Sequence, residues 1–336
     1  MTETLVSVVV VPREGFRQAP ARLAQLIDLT DTAFRLVYVD GNAPSRIARR
    51  IRDLIRRHGG TLIRADRYLR PTHARNLGFR EVDTRYTVFL DNDVVLTPGW
   101  LGALVQCAEE TGAAFVSPVI CIGGRMPPVV HVAGGVNRVV EEDGRRRLLE
   151  IYAHAHRPLP EVLAEIQRQP TTMAEFHAIL VRTDSLRALG GLDERCPTAF
   201  EHNDLCLSFA ARGAKGWLEP GSIVDYVPDL AGAPANAPYH LVRWCRAWID
   251  ESLGGFCAKW ALERDDPRLA ADLASLHGRR RRPARYVRGL ARLVAGHAGA
   301  VQVDPWTDRW IERLLHADDQ QQPLAVDVSC WPGRRA

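Results

Sequence analysis

Tyr86-Thr87-Val88-Phe89-Leu90-Asp91-Asn92-Asp93 is an apolar, strand-favouring segment that runs directly into three polar residues, two of them acids. Val, Phe, Tyr and Thr fit extended backbone, so 86–90 reads as a strand and Asp91 to Asp93 as the tip at which it leaves the sheet. In an open α/β sheet, ligands bind beyond the carboxyl ends of the strands. Two carboxylates spaced i, i+2 at such an end can offer oxygen ligands to a hard divalent cation while leaving positions open for a substrate phosphate. An Asx-rich turn has the same composition. What separates the two readings is position, because an apolar strand here delivers the acids to the edge where an α/β site is expected.

Working outward, strands and helices alternate on both sides of this segment, the pattern of a mostly parallel sheet with helices on its faces. Val6 to Val11 is a continuous β-branched run ending at Pro12, as a central strand covered on both faces would be. Ala21–Leu29 reads as a helix and Phe34–Val39 as a second strand closed by Asp40-Gly41-Asn42. Pro44–His58 has Ile47, Ile51, Leu54 and Ile55 at helical spacing and is stopped by Gly59-Gly60. Strand 61–64 and helix 72–81 complete the approach to Tyr86. Downstream come a helix over 100–110, a strand over 114–118, and two β-rich runs, 129–140 and 146–151, around Glu141-Glu142-Asp143-Gly144, an Asp-Gly hairpin signal. Strand 176–182, helix 183–189, helix 199–212 and a last strand near 216–227 close the α/β part. From Tyr239 the pattern is helical, with Trp244, Trp248, Phe256 and Trp260 on one stripe of 240–262, and the tail after Asp318 reads as loose. The domain expectation is therefore 1–235 in two halves, 1–118 and 119–235, then a helical extension 236–317 and a tail 318–336.

Composition narrows the function class. With 336 residues, 46% hydrophobic and 25% charged, the chain matches ordinary globular proteins and not collagen-like or disordered ones. No apolar run approaches the roughly 18 residues of a membrane-spanning helix, and the first residues lack the basic start and cleavage site of a signal peptide, so a cytoplasmic location is expected. The seven cysteines (107, 121, 196, 206, 245, 257, 330) are never spaced as CxxC, which argues against both a disulfide framework and a zinc knuckle. The net charge of +4 is carried almost wholly by Arg, Lys occurring only at 215 and 259. Arg279 to Arg292 holds seven Arg and no acid, with Tyr286, Val287, Leu290, Leu293 and Val294 on one side. A solvated helix face is one expectation for it, and peripheral contact with an anionic membrane through 279–294 the other. Lacking base-stacking aromatics, it does not suggest nucleic-acid binding. A nicotinamide dehydrogenase or a sugar nucleotidyltransferase would need a Gly-rich turn after the first strand, which Pro12-Arg13-Glu14-Gly15-Phe16-Arg17 does not supply.

In order and spacing over about 5–230, these pieces resemble the family 2 glycosyltransferases of the GT-A fold. Val6-Ser7-Val8-Val9-Val10-Val11-Pro12 resembles their first strand, Val37-Tyr38-Val39-Asp40-Gly41-Asn42 their second, and Ala74-Arg75-Asn76-Leu77-Gly78-Phe79 the helix before their metal motif. Val88-Phe89-Leu90-Asp91-Asn92-Asp93-Val94 resembles their DXD strand. Residues 179–194 resemble the block ahead of their catalytic helix, and Glu201-His202-Asn203-Asp204 that helix's start. The resemblance implies a mixed, mostly parallel sheet flanked by helices, inverting sugar transfer from a nucleotide-diphosphate donor to an acceptor, and a divalent cation, Mn²⁺ or Mg²⁺. Carried over by position, it makes Asp40 the reader of the nucleobase, puts Pro12, Arg13 and Glu14 in the nucleoside pocket, and places Arg75 near the base or diphosphate. Asp91 and Asn92 would face the ribose or the cation's water shell, and Asp93 would be the foremost metal ligand. Glu175 and His177 fall where the acceptor-facing strand begins, although a lone His beside an apolar strand also suits a structural role. His131 and Gly134-Gly135 look like the loop that lines the sugar.

Two positions depart from the family pattern. Where most relatives have Glu-Asp, this chain has Glu201-His202, so the proton-accepting base is Glu201, His202 or Asp204. Glu201 and Asp204 also suit a plain helix-capping role. The metal-ligating histidine that many relatives carry on the last strand is Tyr226 here, beside Asp225, which leaves Asp225 or His240 as substitutes, or a cation held mainly by Asp93, diphosphate and water.

Overall fold

The computed structural model describes residues 4–13, 15–228, 235–276, 278–279 and 325–332. Glu14, most of the basic segment 279–294 and the start of the expected tail lie outside them. The strands are β1 (Val6–Val11), β2 (Phe34–Gly41), β3 (Gly60–Ala65), β4 (Tyr86–Asp91), β5 (Val94–Leu96), β6 (Phe115–Ile122), β7 (Val130–Val132), β8 (Gly135–Glu142), β9 (Arg145–Tyr152), β10 (Gln169–Thr171), β11 (Ala178–Arg182), β12 (Gly216–Tyr226) and β13 (Val326–Trp331). The helices are α1 (Ala19–Leu29), α2 (Ser45–His58), α3 (Pro71–Phe79), α4 (Trp100–Thr111), α5 (Leu159–Val162), α6 (Thr183–Leu189), α7 (Glu201–Ala210), α8 (Ala237–Arg243) and α9 (Arg246–Trp260).

One sheet runs in the order β10-β12-β6-β11-β4-β1-β2-β3-β13, with β5 on β12 and β7 on β6. The pairs β4/β1, β1/β2 and β2/β3 are parallel, as alternation with helices requires, while β11 lies antiparallel between β4 and β6. Every residue of β1 is buried. Val6, Val8 and Val10 pack on one face with Leu23, Leu26, Trp100 and Leu104, and Val9 and Val11 on the other with Ala74, Leu186 and Phe209. Helix α3 sits close on the second face because Gly78 has no side chain, since a Cβ there would lie 2.3 Å from Val9 Cγ1.

Several elements depart from the sequence expectation. The expected arm 129–140 is split: β7 joins the main sheet, and Gly134 and Gly135, both at positive φ, turn the chain so that β8 pairs with β9 in a separate hairpin. The stripe of 240–262 is two helices, broken at Trp244-Cys245 where Cys245 is extended (φ −68°, ψ 152°). The tail is not loose throughout, since β13 adds antiparallel to β3 and covers that edge of the sheet. No helix among the described residues is long and apolar enough to cross a membrane.

This topology gathers the polar residues. The carboxyl ends of β1, β2 and β4 point to one edge. Because β11 is antiparallel, its start lies there too, Ala178 pairing with Leu90. The end of β12 joins them through Tyr226 opposite Val94.

Candidate active site

Asp91 is fully buried at the tip of β4, and its neighbours are cationic. Arg13 Nη1 donates to Oδ2 at 2.8 Å and Arg75 Nη2 to Oδ1 at 2.9 Å. His177 Nδ1 lies 3.3 Å from Oδ2. Burial acts to raise the Asp91 pKa, but the Arg13 and Arg75 charges and the nearby imidazole outweigh it and hold the carboxyl well below its usual range. Asn92 Oδ1 accepts the Arg13 backbone N–H at 3.0 Å, tying the end of β1 to this tip. Asp93 is fully buried, and Gly15 lies so close that a Cβ there would stand 2.9 Å from Asp93 Cβ.

Arg75 extends from α3 over the Phe176 ring (4.1 Å) and faces Glu201 Oε1 at 3.5 Å. Burial depresses its pKa, and the charges of Arg243 and Arg13 add to that while Asp91 and Glu201 act against it. Three buried arginines, Arg13, Arg75 and Arg243, thus share this edge with Asp91 and Glu201. Pro12 and Leu69 present carbonyls to the buried Tyr239 hydroxyl, which brings α8 over the end of β1.

Beside them, His177 stacks on Tyr226 (centroids 4.0 Å apart, planes at 22°) and its Nε2 lies 3.2 Å from Glu175 Oε2. His131 Nε2 approaches the same oxygen at 3.1 Å. Burial would raise the Glu175 pKa, but both imidazoles hold it well below the ordinary value. His177 itself is shifted down by burial and by Arg13. Metal-type donors converge in two groups among the described residues, Asp91–Asp93–His177 and His131–Glu175–His177, each with ligand atoms within 4.8 Å of one another. Neither Asp225 nor His240 belongs to them; Asp225 is in the field of Arg22, and His240 Nε2 meets the Arg279 carbonyl.

Helix α7 opens on Phe200, a left-handed residue (φ 61°) held by stacking on Phe256. Its three candidate bases diverge. Glu201 faces Arg75. His202 Nε2 lies 3.4 Å from Glu150 Oε1 and 3.5 Å from the Tyr152 hydroxyl. Burial opposes the His202 charge, but the Glu150 hydrogen bond and the charges of Glu175, Glu150 and Glu201 prevail and push its pKa up to about 8. Asp204 turns to α9 and accepts from Lys259 Nζ and Trp260 Nε1, both at 2.8 Å. Asp40 is buried at the end of β2, one oxygen accepting the Ala43 N–H at 2.7 Å and the other paired with Arg64.

Sequence reasoning missed Glu150, which accepts from Asn203 Nδ2 (2.6 Å) and the Tyr152 hydroxyl (2.8 Å) as well as facing His202. The available signal was the two-residue period of β9, which puts Leu148, Glu150 and Tyr152 on one face, an acid in line with the buried Leu148. Arg243 carried no such signal; only the packing of α8 brings it to the edge.

Residues 7–157 match the model of glycosyl transferase family 2. That segment is similar to the family 2 glycosyl transferases. No curated protein matches the chain. The fold is similar to GalNAc-T7, a crystal structure with UDP, GalNAc and Mn²⁺, at 15% identity and a TM-score of 0.52 over 83% of this chain. The chain spans 55% of that structure's length. The mannosyltransferase PcManGT from Pyrobaculum calidifontis, in complex with GDP-Man and Mn²⁺, aligns with 96% of this chain and 77% of its own at 15% identity, with a TM-score of 0.48. The matched segment supplies β1 to β4 and the Asp91-Asn92-Asp93 tip, and the mixed, mostly parallel sheet flanked by helices is the GT-A fold.

Proposed function

We propose that this protein moves a sugar, with inversion, from a nucleotide-diphosphate donor to an acceptor hydroxyl or similar nucleophile, with Mn²⁺ or Mg²⁺ at the Asp91-Asn92-Asp93 tip. The observation that carries the reading is the meeting of Asp91 and Asp93 with the buried Arg13 and Arg75 at one sheet edge. Arg75 Nε is buried and makes no hydrogen bond among the described residues, so an N–H donor is free for a diphosphate oxygen. The donor set fits a divalent cation, since Asp93 and Asp91 bring carboxylate oxygens within 4.8 Å of an imidazole nitrogen. A cation held there would offset charge on the departing diphosphate. Asp91 fixes Arg13 and Arg75 in place, and Asp40 holds the 40–43 turn against which a nucleobase would lie.

For proton removal, His202 oriented by Glu150 is the pairing the geometry favours. An imidazole fixed by a carboxylate is a standard general-base arrangement. Asp204 is committed to Lys259 and Trp260, and Glu201 to the field of Arg75. Glu175 and His177, together with His131, line the side of the edge where an acceptor or the donor sugar would enter.

Thermal shift with UDP, GDP and dTDP, with and without Mn²⁺, followed by donor turnover, tests the reading. At least one nucleotide should raise the melting temperature in a Mn²⁺-dependent way, and Asp93→Ala should abolish both that response and transfer. Full activity in Asp93→Ala contradicts it. A nucleotide-sugar-binding protein without turnover is the second reading, favoured by the histidine at 202 in place of the relatives' carboxylate. Donor hydrolysis by the purified protein separates the two.

A further inference from the structure

We infer that His177, through Nδ1, is the imidazole ligand of the divalent cation, supplied from the start of β11 in place of the last-strand residue that is Tyr226 here, with Glu175 and His131 as positioning residues behind it. This rests on the metal reading proposed above and adds to it which side chain completes the protein's share of the coordination shell.

Glu175 decides which nitrogen of His177 faces the acidic tip. Glu175 Oε2 is approached by two imidazole nitrogens, His131 Nε2 at 3.1 Å and His177 Nε2 at 3.2 Å. An ionised carboxylate only accepts, so each of those nitrogens serves it as an N–H donor. With Nε2 turned to Glu175, Nδ1 is the ring atom that faces the acidic tip. It lies 3.3 Å from Asp91 Oδ2 and is buried with no well-formed hydrogen bond among the described residues. Bonds of about 2.0–2.2 Å from one cation place neighbouring ligand atoms about 3–3.4 Å apart, the separation seen here. Asp93, the third member of the group, lies within the same 4.8 Å. Asp91 Oδ2 also accepts from Arg13 at 2.8 Å, which occupies one of its lone pairs and leaves the other for the cation.

The surroundings match the way metal-bound histidines are held. Such a ring usually donates its second N–H to a carboxylate, which fixes its tautomer and its plane. Glu175 is that carboxylate, and His131 fixes Glu175 in turn. Tyr226 stacks on the His177 ring at 4.0 Å, so the last strand orients the imidazole it does not itself supply.

The test is pulsed EPR on the full chain with Mn²⁺ alone and with Mn²⁺ plus UDP or GDP. Wild type should show the nitrogen modulation of a directly bound imidazole. His177→Gln should lose it while still binding Mn²⁺, about tenfold or more weakly. His131→Phe and Glu175→Gln should keep the modulation and weaken Mn²⁺ about 10–100-fold, as loss of an outer partner does. Bound Mn²⁺ without nitrogen modulation in wild type overturns the assignment of His177 and leaves the glycosyl-transfer reading standing, whatever the variants do. Loss of modulation in His131→Phe with Mn²⁺ still bound places the cation on the Nε2 side and likewise overturns it. Absence of any Mn²⁺ binding overturns the cation in both readings.

Discussion

At the scale of single residues, the site is governed by which charges burial tolerates. Asp91 stays ionised because two guanidiniums face it, and removing one leaves charge without a partner. Arg75→Ala should therefore destabilise the fold by about 3–5 kcal/mol, the usual cost of breaking a buried pair, measured by chemical denaturation. His202 gives a pH prediction. Its folded pKa of about 8 exceeds the unfolded value near 6.5, so the stability it contributes is fully present below about pH 6.5 and is lost as pH rises through 8. Its neutral, proton-accepting form grows over the same range. If His202 is the base, kcat/KM should rise with an acid limb near pH 8, and Glu150→Gln should move that limb down toward 6.5. A profile flat from pH 6 to 9 would leave a carboxylate, Glu201 or Asp204, as the base. Gly15→Ala is the steric counterpart: a Cβ 2.9 Å from Asp93 Cβ must displace the carboxylate, so Mn²⁺-dependent nucleotide binding should weaken more than the melting temperature falls.

At the scale of elements, the half of the fold that comes first was the more legible. β1 and β4 announced themselves by unbroken apolar runs and α2 by its periodic isoleucines, because in a parallel sheet each of these segments is decided by its own neighbours in sequence. The residues Arg13, Asp91 and Asp93 were legible for the same reason, each lying directly after a strand. Glu150, Arg243 and the role of Tyr226 were not, since each reaches the edge through a long-range packing step. β13 was hidden because its residues are half exposed and its partner strand lies about 270 positions earlier, Ser329 pairing with Leu62. Close packing of α3 on the sheet is a test at this scale. Gly78→Ala puts a Cβ 2.3 Å from Val9 Cγ1 and should cost about 1–3 kcal/mol by overpacking, and Val9→Ala in the same chain should restore part of the loss.

At the scale of the whole molecule, the edge proposed to bind the nucleotide is made by β1 to β4, while α7 and the β8–β9 hairpin bring the candidate base, so the proposed chemistry depends on how those two parts are held together. Much of that hold comes from α9. Lys259 bridges Asp204 at 2.8 Å and Asp193 at 3.2 Å, Trp260 adds its own hydrogen bond to Asp204, and Phe256 packs against Phe200 at the start of α7. Asp204 is buried, and its charge-assisted hydrogen bonds each contribute on the order of 1.5–3 kcal/mol. Asp204→Asn and Lys259→Met should each lower the melting temperature, and the double variant should lose less than the sum, since each single change removes the same pair. If Asp204 only anchors α7, kcat in Asp204→Asn measured well below the melting temperature should stay within a fewfold of wild type. A loss of several hundredfold there, with the fold intact and nucleotide affinity unchanged, would instead make Asp204 the base and move the catalytic centre to the face of α7 that meets α9.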